Sequence, residues 1–140
     1  MKFSNETKYS TIELRALFKE VNKHEGIEPR SLRAFTAKVP KWCAPTHFGT
    51  VVRGTAWCSL KHIQIGIPKH LLKGERKSMD SFDLLTIPLT QLDTEQVKTV
   101  ARVYAHELAH IRGVMKHRDM LPWTSLDVDY LGDRTVGLEQ

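Results

Sequence analysis

An α+β domain is predicted by three features of this 140-residue chain. One segment near each end carries apolar residues at helical spacing. Between them lie short stretches in which apolar and polar residues alternate, the period of a half-buried strand. The order is helix, strands, second helix and an irregular tail, which fits helices packed against a small sheet. The length suits one domain spanning residues 1–140.

Each element has its own signal. The first helix is predicted from Ser10 to about His24, with Ser10 and Glu13 as a capping box. Leu14, Leu17, Phe18 and Val21 form its apolar stripe, and Gly26 ends it. Leu32 to Val39 alternates as a strand. Pro40, Pro45 and Gly49 mark a loop. Thr50 to Cys58 is a second strand, with Gly54 read as a bulge. In a third, His62 to Ile67, Ile63, Ile65 and Ile67 point one way and His62, Gln64 and Gly66 the other. Lys69 to Ser81 reads as a loop, and Phe82 to Leu89 as a short strand interrupted by Pro88. The second helix is predicted from Asp93 to about Arg112, with Asp93 and Gln96 as its capping box. Its stripe is Val97, Ala101, Tyr104, Leu108 and Ile111, and Gly113 closes it. From Lys116 the tail is mostly irregular.

The second helix carries the chemistry. It contains His106-Glu107-Leu108-Ala109-His110, an H-E-x-x-H run. Residues four apart sit one turn apart on one face, so two imidazoles can reach one metal ion without bending the backbone. Glu107 lies beside them as a general base for water. A shuffled chain of this composition would hold roughly 0.02 such matches, so coincidence is a poor explanation. The apolar stripe lies nearly opposite the two histidines, so the helix would bury one face and turn them toward a cleft.

A zinc site needs a third protein ligand and keeps a fourth position open. His117 lies four residues past Gly113, and a glycine with positive φ lets the chain leave the helix sharply. Asp119 is the alternative ligand; Asp127, Asp129 and Asp133 are more distant. The expected metal set is therefore His106, His110 and His117 around Zn²⁺.

These residues resemble the metzincin signature H-E-x-x-H-x-x-G-x-x-H, which includes the archaemetzincins. His106, Glu107, His110 and Gly113 match in register; the fifth position falls on Lys116, one residue before His117. The matching stretch covers about residues 93–120. In size and in its H-E-x-x-H helix the chain also resembles the minimal SprT-like and ImmA-like metallopeptidases. The resemblance implies a small zincin-like domain with an N-terminal helix, a metal-binding helix and a sheet-edge strand that takes the peptide substrate as an added strand. The strand at His62–Ile67, ahead of the metal helix, is the one considered for that role, against a plain core strand.

Charge and cysteines bound the partners. The formal charge is +5, and Lys69, His70, Lys73, Arg76 and Lys77 crowd one stretch with only Glu75 opposing them. Such a run is usually a solvated loop, but it could steer an acidic substrate or touch nucleic acid. No aromatic interrupts it, so no base-stacking platform is indicated. Cys43-x3-His47 and Cys58-x3-His62 could in principle make a second zinc site, though the spacing is unusual; buried free thiols are the simpler expectation. No apolar run approaches a membrane span, and Met1–Glu6 carries no apolar stretch of a signal peptide, so no membrane partner and a cytoplasmic setting are expected.

The expectation is a zinc metallopeptidase acting on a peptide or protein substrate, with Glu107 moving the proton from water to the leaving amine. Asp127 or Asp129 could orient the ligands, and Tyr130 could stabilise the oxyanion. Two other readings compete. Bacterial rRNA-maturation endoribonucleases resemble the chain in size and in a histidine-rich helix, but carry H-G-x-x-H, so Glu107 favours the peptidase. A non-catalytic zinc-binding module would have no need of an intact Glu107.

Overall fold

The computed structural model describes residues 1–37, 53–68, 94–113 and 125–133. Among these residues the architecture is α+β: two long helices and a four-stranded mixed sheet. In chain order the elements are β1 (Lys2–Glu6), α1 (Thr11–Glu25), β2 (Ser31–Ala37), β3 (Arg53–Trp57), β4 (His62–Pro68) and α2 (Thr94–Arg112), followed by a 3₁₀ turn at Asp129–Leu131.

Both helices follow from their stripes. The Ser10 hydroxyl caps α1 by accepting the Glu13 N–H at 3.3 Å. Gly26 ends α1 in the left-handed conformation at φ 73°, where a side chain would be strained. The predicted stripe residues Leu14, Leu17, Phe18 and Val21 are all buried. On α2, Val97, Ala101, Tyr104 and Leu108 are buried, while His106 and His110 are half-buried. The periodicity thus places each helix correctly.

The sheet order is β1-β2-β4-β3, with β1, β2 and β4 parallel and β3 antiparallel to β4. One row across it runs Phe3, Leu32, Ile63 and Ala56, and the next Asn5, Ala34, Ile65 and Gly54. With alternate side chains on opposite faces, these rows form the side on which the helices pack. The other side carries Ser31, Arg33, His62, Gln64 and Trp57.

The sheet adds to or departs from the sequence expectation at three points. Residues 2–6 form a strand that the sequence does not announce: only Phe3 is strongly apolar, and parallel pairing with β2 makes it a strand. β4 is interior, hydrogen-bonded to β2 on one side and β3 on the other, so of the two roles considered for it the core strand is the one found, with its three isoleucines fully buried. Among the described residues the strand at the edge next to β4 is β3. Gly54 is not a bulge either: the register from Arg53↔Gly66 to Trp57↔His62 is unbroken. Val39, the loop at Pro40–Gly49, Lys69–Ser81, Phe82–Leu89 and the Asp93 cap lie outside the described residues. Among those described, no helix is long and apolar enough to cross a membrane.

Candidate metal centre

α2 lies across the helix-side face of β3 and β4, held by Tyr104 and Leu108 in the core. Its opposite flank presents His106 and His110. Their ring centroids are 5.0 Å apart and their planes meet at 81°. A tetrahedral zinc ion holds imidazole nitrogens at about 2.0–2.1 Å, which puts each ring centroid roughly 3.2 Å from the ion and two such centroids roughly 5 Å apart. The spacing of the pair matches that of two adjacent imidazoles on one tetrahedral ion. Among the described residues no third His, Cys, Asp or Glu joins them in one cluster. The predicted third ligand His117, its alternative Asp119, and Lys116 lie outside the described residues. Gly113 does leave the helix at φ 110°, with its N–H donating to the His110 carbonyl at 3.2 Å. A chain exit with positive φ is what the sequence called for at that point.

Glu107 is turned inward from the histidines, against β3. It is only 7 % exposed. Burial is the whole cause of a raised proton affinity, which brings its carboxyl from the usual 4.5 up to about 7. The carboxylate lies directly over Gly54: a Cβ added there would stand 2.5 Å from Glu107 Cγ and 2.9 Å from Oε1. Sequence reading singled out Gly54 but gave it the wrong role. A glycine inside a strand signals either a bulge or the close approach of another group, and here it is the approach.

The other singled-out residues have different places. Cys58, at the start of the β3–β4 turn, is exposed, and its thiol donates to the His110 carbonyl at 3.4 Å. His62 lies on the far side of the sheet, where its Nδ1 meets Ser31 Oγ at 2.7 Å, its Nε2 meets Gln64 Nε2 at 3.3 Å, and its ring packs on Trp57. With both of its ring nitrogens engaged, His62 is not arranged as a zinc ligand with Cys58; Cys43 and His47 lie outside the described residues. Cys58, expected as a buried thiol, is instead exposed. The Asp127 carboxylate accepts the Asp129 N–H at 2.9 Å, capping the tail's own turn, and Asp129 pairs with Lys98 at 3.3 Å. Tyr130 stacks on His24 of α1 at 3.9 Å rather than facing the histidine pair; burial, then Glu25, Asp127 and Glu20, push its phenol up to about 12. The oxyanion role expected for Tyr130 has no support in that position. The basic run at residues 69–77 lies outside the described residues.

No protein family, curated protein or solved structure compared with this chain matches it.

Proposed function

We propose that this chain is a zinc-dependent peptidase with Glu107 as its general base. One observation carries the reading: a carboxyl group buried to 7 % exposure follows one imidazole in sequence and precedes a second by three residues, and the 5.0 Å spacing of those two rings suits a single tetrahedral ion. His106 and His110 would hold the ion, with His117 as the expected third ligand or Asp119 in its place. When bound, zinc supplies a Lewis acid for the scissile carbonyl and lowers the pKa of water toward neutrality.

The chain's own residues do the rest. Glu107 takes the proton from the attacking water and later delivers it to the leaving amine. Its protein surroundings favour the protonated acid more than water would, which suits a group that must hold a proton between those two steps. β4 covers one side of β3, and the resemblance to zincins gives the other side of β3 to an extended substrate, through backbone hydrogen bonds. Glu107 would then face the bound chain's scissile bond from the helix side.

The test pairs metal analysis with hydrolysis. The purified protein should bind about one zinc per chain and His106→Ala should lose it. Glu107→Gln should keep the metal but hydrolyse fluorogenic peptides ~10²–10⁴-fold more slowly, since an amide cannot accept the proton. Labelled RNA run alongside should stay intact. Undiminished zinc in His106→Ala, or zinc-dependent cleavage of RNA and not of peptide, would overturn the reading.

A further inference from the structure

We infer that Gly54 is a positioning residue for Glu107: the missing side chain on β3 is the space that the Glu107 carboxyl occupies. The role in hydrolysis rests on the peptidase reading above; the packing relation does not.

Three observations carry it. First, Gly54 stands at the β3 end of a row whose other members are Asn5, Ala34 and Ile65. Ala34 and Ile65 fill the space under the helices with side chains. At Gly54 the row runs out of side chain, and Glu107 enters from α2 instead. Second, the fit is too close for any other residue as the structure stands. An ideal Cβ at Gly54 would lie 2.5 Å from Cγ, 3.0 Å from Cδ and 2.9 Å from Oε1 of Glu107. The nearest of these atoms is on the stem of the side chain, not at its free end, so the whole carboxyl group would have to move. Third, nothing else at this position asks for glycine. Among the described residues the glycines with positive φ are Gly26, Gly113 and Gly132; Gly54 is not one of them and sits in an unbroken antiparallel register. A glycine in such a place ordinarily weakens a strand relative to alanine. Its presence here is explained by the neighbour.

The consequence for the site is positional. Glu107 shares one helical turn with His106 and His110, so a shift of its carboxyl need not move the imidazoles. A methyl group at residue 54 should therefore separate proton transfer from metal binding.

The experiment is a double-mutant cycle on the full chain: wild type, Gly54→Ala, Glu107→Ala, and both together. The first readout is thermal unfolding after removal of metal with a chelator, which needs no activity. Gly54→Ala should lower the melting temperature by several degrees in the wild-type background. With Glu107→Ala the same change should be neutral or raise it, since alanine is the better strand residue once the carboxyl is gone. The second readout is hydrolysis with zinc. Gly54→Ala should bind zinc within about twofold of wild type and lose ~10²-fold or more in kcat. Gly54→Ala with Glu107→Asp, whose shorter stem leaves room for the methyl, should recover part of that loss relative to Gly54→Ala alone. Equal melting shifts for Gly54→Ala in both backgrounds would overturn the assignment. So would wild-type hydrolysis by Gly54→Ala in an active peptidase. If the wild type cleaves no peptide, the peptidase reading fails, while the melting cycle still decides the Gly54–Glu107 contact.

Discussion

α1 and α2 pack side by side on one face of the sheet and each buries a polar side chain, yet they treat it in opposite ways. On α1 the buried group is Asn22, 6 % exposed, and its Oδ1 accepts the hydroxyl of Tyr104. The Asn22 amide also donates to Met1 Sδ at 3.7 Å. α2 buries Thr99 and, unlike α1, an ionisable group: Glu107, 7 % exposed, with which no cation among the described residues is paired. Asn22 is a neutral amide whose burial is offset by hydrogen bonds. Glu107 is an acid whose burial is offset by keeping its proton. Placing an ionisable group there is a poor way to hold two helices on a sheet and a good way to store a proton beside the two histidines proposed to hold a metal. Under the proposed function, the difference makes α1 the scaffold and α2 the working helix.

The largest expected effect on stability follows from that contrast. In metal-free protein the Glu107 carboxyl titrates near 7 when folded and near its ordinary 4.5 when unfolded. Below pH 4.5 it is protonated in both states and costs nothing extra. Between 4.5 and 7 the folded state binds the proton more tightly, so stability falls as pH rises through this window, then levels off. At about 1.4 kcal/mol per pH unit the loss is on the order of 3 kcal/mol. Denaturant unfolding of chelator-treated protein at pH 5 and pH 8 should show that loss in wild type but not in Glu107→Gln. Equal pH slopes would mean that Glu107 is not desolvated, and the contrast between the helices would collapse.

Asn22 provides the matching test on the other helix. Burial raises the Tyr104 phenol well above its ordinary range, so it stays a neutral donor at every relevant pH. Tyr104→Phe removes that donor and strips Asn22 Oδ1 of its bond, at a cost of about 1–2 kcal/mol. Chemical denaturation should show this loss with no change in the pH slope. A slope that moved with Tyr104→Phe would couple the two buried groups and blur the comparison.

How much of this was legible in the sequence depended on whether the signal was local. The two stripes, the Ser10 cap and the exits at Gly26 and Gly113 are written within a few residues, and all are found where they were expected. The alternation of Ile63, Ile65 and Ile67 gave β4 its faces but not its neighbours, because an interior place is decided by β2 and β3 together. β1 escaped notice since Lys2-Phe3-Ser4-Asn5-Glu6 has little strand character without β2 beside it. Gly54 was visible as an anomaly, but choosing between a bulge and a close approach required knowing what arrives from α2, 53 positions away in the chain. At the site, His106, Glu107 and His110 were readable because helix geometry fixes their relation. The proposed third ligand lies past Gly113, outside the described residues, where helix geometry no longer fixes the relation and a spacing of residues is a far weaker guide.

The smallest expected effect tests whether α1 is scaffold alone. Ser10 Oγ accepts the Glu13 N–H at 3.3 Å, satisfying one of the donors that the first turn of a helix leaves open. The contact is long, so Ser10→Ala should cost about 1 kcal/mol or less, at the low end for such caps. The affected turn lies at the start of α1, while Asn22 and the contact to Tyr104 lie near its end. Fraying at the start therefore lowers global stability without reaching α2. Unfolding by denaturant should report the shift, while zinc affinity and the hydrolysis rate per folded molecule stay at wild-type values. A drop in kcat larger than the folded fraction explains would show that the N-terminal turn of α1 communicates with the histidine pair. The division between a structural and a working helix would then have to be redrawn to include both.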